Sequence, residues 1–81
     1  MKVTVLGKRV LNFKTDKGEV VQGTQIFICY PTNNVEGQII DKVFIPINSP
    51  IKIPQLEFGQ LYDFIYNGIG KRQYLTDIIK A

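Results

Sequence analysis

The sequence predicts an all-β chain that folds as one small domain of five strands. Apolar and polar residues alternate with a period of two, and no helical period of any length occurs. Clusters of glycine, asparagine and proline separate the alternating runs, as turns between strands do. Prolines at positions 46, 50 and 54 exclude a helix between the third and fourth runs. At 44% hydrophobic and 21% charged residues, the chain has the composition of a globular protein.

The first two strands form a hairpin. The first is predicted over residues 3–14 and the second over residues 19–30, with the turn Thr15-Asp16-Lys17-Gly18 between them. Gly7 lies inside the first strand and predicts a bulge or a sharp bend, of the kind that lets one strand serve two sheets.

Three further strands and a stiff connector complete the chain. The three prolines fix φ and remove backbone donors, so residues 46–59 are predicted to form neither a helix nor a central strand. The third strand is predicted over residues 38–46, the fourth over residues 60–66 and the fifth over residues 71–79, with turns at residues 31–34 and 67–70.

Five strands in this order predict a small closed or partly open barrel. The best-known architecture of this description is the OB-fold, which presents its second and third strands to single-stranded nucleic acids or oligosaccharides. An SH3-like barrel has the same number of strands and is the alternative. No internal repeat, low-complexity tract or linker occurs, so we expect a single OB-fold domain over residues 1–81.

The excess positive charge is confined to the first hairpin. Residues 1–22 carry five basic and two acidic side chains, a net charge of +3, whereas residues 23–81 carry five of each. A surface that follows a phosphate backbone needs such a local excess. Exposed strands also carry lysine to discourage edge pairing, so charge alone leaves both interpretations open.

The chain offers no credible catalytic group. It has no histidine, which excludes Ser-His and Cys-His pairs and most zinc sites. Its seven carboxylates are spread singly, without the spacing of an acid–base pair or a metal site. Cys29 lies in an apolar run and is predicted to be a buried, inert thiol. We expect no enzyme activity, no cofactor or metal, and no small-molecule substrate.

Nothing in the sequence predicts export or a membrane role. No apolar run approaches the roughly 20 residues that span a bilayer, and there is no hydrophobic leader. The single cysteine cannot form an intramolecular disulfide. The sequence therefore predicts a cytoplasmic protein.

The period-two pattern places a cation and aromatic rings on the outward face of the barrel. In the third strand, Lys42 and Phe44 share one side and the aliphatic Val43 and Ile45 share the other. An ammonium group can bind phosphate and a ring can stack on a base. Phe27 is predicted on the corresponding face of the second strand. Core packing is an equal alternative for both phenylalanines.

The last two strands contain further aromatic and basic residues. Tyr62, Phe64 and Tyr66 share one side of the fourth strand, and we assign Phe64 to the core and leave the two tyrosines open. Lys71, Arg72 and Tyr74 follow the last turn. They are candidates for phosphate and base contacts, or for a solvated hairpin end or a dimer contact.

Several short segments resemble a known family. They are Phe13-Lys14-Thr15-Asp16-Lys17-Gly18, Gln22-Gly23, Cys29-Tyr30, and Gly59-Gln60-Leu61-Tyr62 through Gly70 to Leu75-Thr76-Asp77. Together they resemble the single-stranded-DNA-binding protein of filamentous phages, the gene V type, over most of the chain and with gaps.

The resemblance implies a five-stranded OB-fold that forms a two-fold dimer and coats single-stranded DNA cooperatively, with little sequence preference. It implies that Lys14 and Lys17 lie near the family's basic turn, that Gln22 and Gly23 begin its extended arm, and that Tyr30 is its strand-two aromatic. The chain departs from the family where Ile26 replaces a stacking tyrosine and Val21 replaces a basic residue. Its arm and its last hairpin are also shorter.

Two functions therefore stand as predictions. The first is non-specific binding of single-stranded DNA in the replication of a phage or mobile element, by a homodimer, with RNA as the second choice of nucleic acid. The second is a small barrel that contacts proteins, such as an assembly subunit, and binds no nucleic acid. The residues predicted to contact nucleic acid are Lys14, Lys17, Gln22, Phe27, Tyr30, Lys42, Phe44, Lys71, Arg72 and Tyr74.

Overall fold

A computed structural model describes residues 1–81 as five β-strands without a helix. The strands are β1 (Lys2–Lys14), β2 (Val20–Tyr30), β3 (Ile39–Pro46), β4 (Leu61–Ile69) and β5 (Arg72–Lys80). The predicted all-β class is confirmed. The predicted strands begin and end within a residue of the observed ones, except that β4 extends beyond its predicted end at Tyr66.

The strands form one antiparallel sheet in the order β3-β2-β1-β4-β5. β1 is the central strand. It pairs with β4 only through Lys2–Thr4, and it pairs with β2 from Thr4 to its end. β3 and β5 do not pair, so the sheet is not closed. This arrangement is consistent with a small β-barrel-like fold.

The predicted irregularity near Gly7 is a bulge in β1. Val5 pairs with Ile28 and Gly7 pairs with Phe27, so Leu6 is one extra residue in the strand. Val3 and Val5 point into the core before the bulge. The extra residue shifts the alternation, and Arg9 therefore lies on the outward side of the sheet after it.

All five strands and the connector contribute to one hydrophobic core. Tyr62 and Phe64 are its largest fully buried side chains, and the assignment of Phe64 to the core is confirmed. Cys29, predicted to be buried, is only half-buried, because it lies on the outward side of β2 opposite Thr4 and Ile40. The core side chains are Val3, Val5, Ile26, Ile28, Ile45, Leu56, Tyr62, Phe64 and Ile78.

The connector has neither helix nor strand between residues 47 and 60, as its prolines predict. It is held against the core by Leu56 and by the buried hydroxyl of Tyr62. That hydroxyl accepts a hydrogen bond from the backbone N–H of Glu57 at 2.8 Å and donates one to the carbonyl oxygen of Gln55 at 3.3 Å. Backbone hydrogen bonds join the two ends of the connector to the sheet, from the N–H of Ile47 to the carbonyl oxygen of Gln22 at 3.0 Å and from the N–H of Gly59 to that of Val5 at 2.7 Å.

The turn between β4 and β5 is tighter than the predicted turn over residues 67–70. Ile69 pairs with Arg72, which leaves only Gly70 and Lys71 in the turn. Gly70 has φ of 61°, the sign that a type II′ turn requires at its first central position. Gly68 has φ of 119° and remains in the strand, where a β-carbon would collide with the carbonyl oxygen of Arg72. No helix that could cross a membrane is present.

Candidate nucleic-acid interface

The outward side of β1, β2 and β3 brings together cations, rings and one amide. Residues that pair across antiparallel strands project on the same side. The register forms one row from Arg9 through Gln25 to Phe44, and a second row that includes Phe27 and Lys42. We call these five residues the basic-aromatic face. The predicted grouping of Phe27, Lys42 and Phe44 on one side thus agrees with the register, whereas Arg9 and Gln25 were not predicted to join them.

The ring of Phe44 lies against the backbone of Gly23. A β-carbon at Gly23 would lie 2.6 Å from Cζ and 2.9 Å from Cε1 of Phe44, and would also collide with the carbonyl oxygen of Ile45. Only glycine leaves room for the ring at this point. Phe44 remains 40% exposed, so one side of its ring packs on the sheet while the other is open to solvent.

Arg9 is held by two neighbours from β2. Its Nε donates a hydrogen bond to Oε1 of Gln25 at 2.7 Å, and its guanidinium carbon lies 5.7 Å from the centroid of the Phe27 ring. The second distance is within the range of a cation–π contact. Phe27 itself is half-buried. The guanidinium therefore has a fixed position next to an aromatic ring, with its terminal nitrogens unpaired.

The basic-aromatic face has almost no negative charge to neutralise it. No carboxylate occurs in β1 or β2. The one carboxylate of β3, Asp41, accepts hydrogen bonds from the Tyr30 hydroxyl at 3.4 Å and from the backbone N–H of Lys42 at 2.7 Å. Among all lysines and arginines, only Lys80 forms an ion pair, 3.7 Å from Glu57. Arg9 and Lys42 thus remain free to bind an anion.

A shallow hollow opens at the second row, beside the first residues of β3. Its volume is about 270 Å³, and its lining consists of Phe27, Ile40, Asp41 and Lys42. An aromatic ring and a cation at one open hollow can contact a base and a phosphate at the same time.

A second cleft lies between the first hairpin and the connector. Its volume is about 300 Å³ and its lining is largely aliphatic, with Val10, Ile45, Ile47, Ile51 and Ile53 among its residues. No charged side chain lines it. It therefore lacks a cation that could neutralise a phosphate, although the polar side chains of Asn12, Gln22, Thr24 and Ser49 also line it.

Three of the residues predicted to contact nucleic acid lie elsewhere on the first hairpin. Lys14 and Gln22 project on the side opposite Arg9, where Nε2 of Gln22 donates a hydrogen bond to Oδ1 of Asn12 at 3.2 Å. Lys17 lies in the turn at the tip of the hairpin. The structure does not bring these three side chains to the basic-aromatic face.

Tyr30 lies on the core side of β2, because it continues the alternation of the buried Ile26 and Ile28. It is half-buried and packs against the core, and its hydroxyl donates to Asp41. Tyr66 of β4 also packs against the core. Burial raises the pKa of Tyr66 above its ordinary value of 10.0, and the charges of Asp41 and Tyr30 raise it further.

The remaining predicted residues are at the end of the β4–β5 hairpin. Lys71 is in the turn, Arg72 pairs with Ile69, and Tyr74 pairs with Asn67 and is 61% exposed. In the order of the sheet, β5 is an edge strand and β1 and β4 separate it from β2. These three residues form a separate basic and aromatic group that does not adjoin Phe27 and Phe44 through the sheet.

Comparison with protein-family models, curated proteins and solved structures finds no match for this chain. The resemblance to the filamentous-phage family therefore stays a prediction.

Proposed function

We propose that this protein binds single-stranded DNA through the basic-aromatic face, with little dependence on sequence. The observation that carries the proposal is the position of the two unpaired cations, Arg9 and Lys42, beside the rings of Phe27 and Phe44 on neighbouring strands. Rings that stack on bases and cations that contact phosphates are the two components of non-specific single-strand binding.

Each component has a separate role. The open side of the Phe44 ring stacks on one base, an interaction that contributes roughly 1–3 kcal/mol per base and works with any base. Lys42 and Arg9 neutralise phosphates on either side of that base and release their counterions. Unpaired bases are required, because in a duplex the ring cannot reach a base face.

The biological setting that we propose is DNA replication of a phage or another mobile element in the cytoplasm, where the protein coats exposed single strands. RNA is the second choice of ligand, because a stacking surface distinguishes the two sugars only where it contacts the 2′-hydroxyl.

The outward side of β4 and β5 supports association with a second copy of the chain. Leu61, Ile65 and Ile79 are between 37% and 52% exposed there, although all three are aliphatic. Ile69 near the hairpin turn is 90% exposed. A chain of this size builds a modest core and is often stabilised by oligomerisation. We therefore propose a homodimer that contacts through β4 and β5 and leaves the basic-aromatic face free.

The same apolar surface favours a second candidate function, a barrel that contacts other proteins and binds no nucleic acid. Large exposed apolar areas are typical of protein interaction sites. The two functions differ in their response to DNA and to salt.

Fluorescence anisotropy of a labelled oligo-dT, titrated with the protein at several salt concentrations, tests the proposal. Single-strand binding predicts that the logarithm of the affinity falls linearly with the logarithm of salt concentration, with a slope of about −0.7 for each phosphate contact. Two contacts, from Arg9 and Lys42, predict a slope near −1.4 for each protein bound. Absence of binding at low salt would contradict the proposal and leave the protein-interaction function standing.

A further inference from the structure

We infer that Gln25 and Arg9 give the basic-aromatic face a preference for thymine and guanine, which have a carbonyl oxygen at position 4 or 6, over adenine, which has an amino group there. This inference rests on the proposed function and adds to it a base preference within an otherwise tolerant site. Apart from the hydroxyl of Tyr62, the amide of Gln25 belongs to the only buried side chain in the protein that is polar or charged.

Gln25 is an unusual residue for its position. It projects on the outward side of the sheet between Arg9 of β1 and Phe44 of β3, yet it is only 8% exposed. A solvent-facing glutamine is normally exposed and mobile. Here the neighbouring large side chains cover it, and the hydrogen bond from Arg9 holds its amide in place.

The hydrogen bond from Arg9 fixes which end of the amide is free. The Nε–H group of arginine can only donate, so the atom that faces it must be the carbonyl oxygen Oε1 of Gln25. The nitrogen Nε2 then points away from Arg9. It has no hydrogen-bond partner within the protein, and it retains contact with solvent.

The same pair leaves further donors on Arg9. Its Nε is engaged by Gln25, while the terminal nitrogens have neither a hydrogen bond nor an ion pair. Two donors therefore face a base beside Phe44, Nε2 of Gln25 and one terminal nitrogen of Arg9, and the other terminal nitrogen of Arg9 remains available to a phosphate.

Two hydrogen-bond donors bind most tightly to a base edge that offers hydrogen-bond acceptors. Thymine presents the carbonyl oxygen O4, and guanine presents O6 and N7. Adenine presents the acceptor N7 but an amino group at the position of O6, so one of the two donors would face another donor. A buried donor left unpaired costs free energy, so the mismatch reduces affinity for adenine. Contact with phosphate in place of bases would produce no base preference.

The test compares two labelled oligonucleotides whose purines differ only in the group on C6 and in the hydrogen on N1. One carries adenine and the other hypoxanthine, which has a carbonyl oxygen where adenine has its amino group. In both, abasic sites alternate with the bases to suppress stacking within the strand. Wild-type protein should bind the hypoxanthine strand about five-fold more tightly, the size expected for one net hydrogen bond.

Gln25→Glu is the informative variant, because it keeps the acceptor for Arg9 and replaces the outward donor by an acceptor. The preference for hypoxanthine should disappear or reverse to adenine. Gln22→Glu makes the same change on the opposite side of β2, at an exposed residue, and should leave the ratio of the two affinities unchanged. A change in net charge affects both strands equally and cancels in the ratio.

Arg9→Lys is a second variant, which retains the positive charge but lacks the planar guanidinium that orients the amide. It should reduce the preference while the protein still binds DNA. Equal binding of the two strands by wild-type protein would overturn the inference and leave the proposed function intact. Failure of wild-type protein to bind either strand would overturn both.

Discussion

The ring of Phe44 lies over Gly23 so closely that a β-carbon on the glycine would sit 2.6 Å from Cζ of the ring. The contact joins β2 to β3 on the outward side of the sheet, where Phe44 is 40% exposed. It explains how a large apolar side chain has a fixed position without being buried. A flat ring that is immobile before a base arrives loses little conformational entropy on binding.

Gly23→Ala should therefore destabilise the protein and weaken DNA binding together. The new methyl group collides with the Phe44 ring and with the carbonyl oxygen of Ile45, which is backbone and cannot move freely. We expect a loss of about 1–3 kcal/mol in the free energy of unfolding, the usual cost of overpacking. Urea unfolding followed by circular dichroism measures this loss.

The control is Gly7→Ala in β1, where a β-carbon meets no atom within 4 Å. Equal stability of the two variants would refute the close contact at Gly23.

Phe44→Leu should weaken binding to oligo-dT without a comparable loss of stability. Leucine keeps an apolar contact with Gly23 but has no ring to stack on a base. The loss of one stacked base corresponds to roughly 1–3 kcal/mol, or between about five-fold and about 150-fold in affinity. Phe58→Leu is the matched control, because Phe58 is 55% exposed in the turn before β4. If both variants bound as wild type does, Phe44 would not be a stacking residue.

Tyr62→Phe should destabilise the fold through the connector. The hydroxyl is buried and bonds to the backbone of both Glu57 and Gln55. Its removal leaves a backbone N–H without its partner, which costs about 1–3 kcal/mol. Thermal or urea unfolding provides the measurement. Tyr74→Phe, at a 61% exposed tyrosine with no hydrogen bond from its hydroxyl, should be close to neutral. A neutral Tyr62→Phe would mean that the connector does not depend on this hydroxyl.

Tyr66 should make the protein lose stability at alkaline pH. Burial, together with the charges of Asp41 and Tyr30, raises the pKa of Tyr66 in the folded state above 10.0. As the pH rises above the unfolded pKa, the unfolded chain releases this proton first and the folded protein retains it. The stabilisation is therefore complete below about pH 10 and is lost as the pH rises through the folded pKa.

Absorbance of the phenolate checks this prediction, because Tyr66 should ionise in a late step, above pH 10. Tyr66→Phe should remove the late step and flatten the loss of stability with pH. Asp41→Asn should move the late step to lower pH. A late step that survived in Tyr66→Phe would assign the raised pKa to another tyrosine.

The fold was largely predictable because its signals are local. Period-two alternation and the glycine and asparagine turns define the strand ends within a residue at most positions. The end of β4 was predicted too early because Asn67 and Gly68 have the composition of a turn. In the structure Gly68 has a positive φ but pairs with Gln73 as a strand residue. Only Gly70 and Lys71 form the turn. A glycine's conformation depends on its cross-strand neighbours, which the sequence alone does not identify.

The site was predictable only where a strand is regular. Lys42 and Phe44 lie in an unbroken strand, and alternation was enough to place them on one side. Arg9 was missed because the extra residue at Leu6 reverses the alternation of β1, and a bulge predicted near Gly7 does not by itself say which residue is extra. Gln25 was missed because its burial results from side chains on two other strands.

Tyr30 could have been assigned from the sequence. It follows Ile26 and Ile28 at a spacing of two residues, and both of those side chains are aliphatic and buried. The alternation in β2 therefore predicts that the ring of Tyr30 faces the core. The positions of Lys71, Arg72 and Tyr74 relative to β2 could not have been predicted, because they depend on the order of the strands across the sheet.

Nuclear magnetic resonance of the ¹⁵N-labelled protein, titrated with oligo-dT, tests the central claim most directly. Binding of DNA through the basic-aromatic face should shift the side-chain signals of Arg9 Nε and Gln25 Nε2. The backbone amides of Phe27, Lys42 and Phe44 should shift with them. Signals at Lys71, Arg72 and Tyr74 should move less. Unchanged signals from Arg9 and Gln25, with the largest changes at the β4–β5 hairpin, would contradict it.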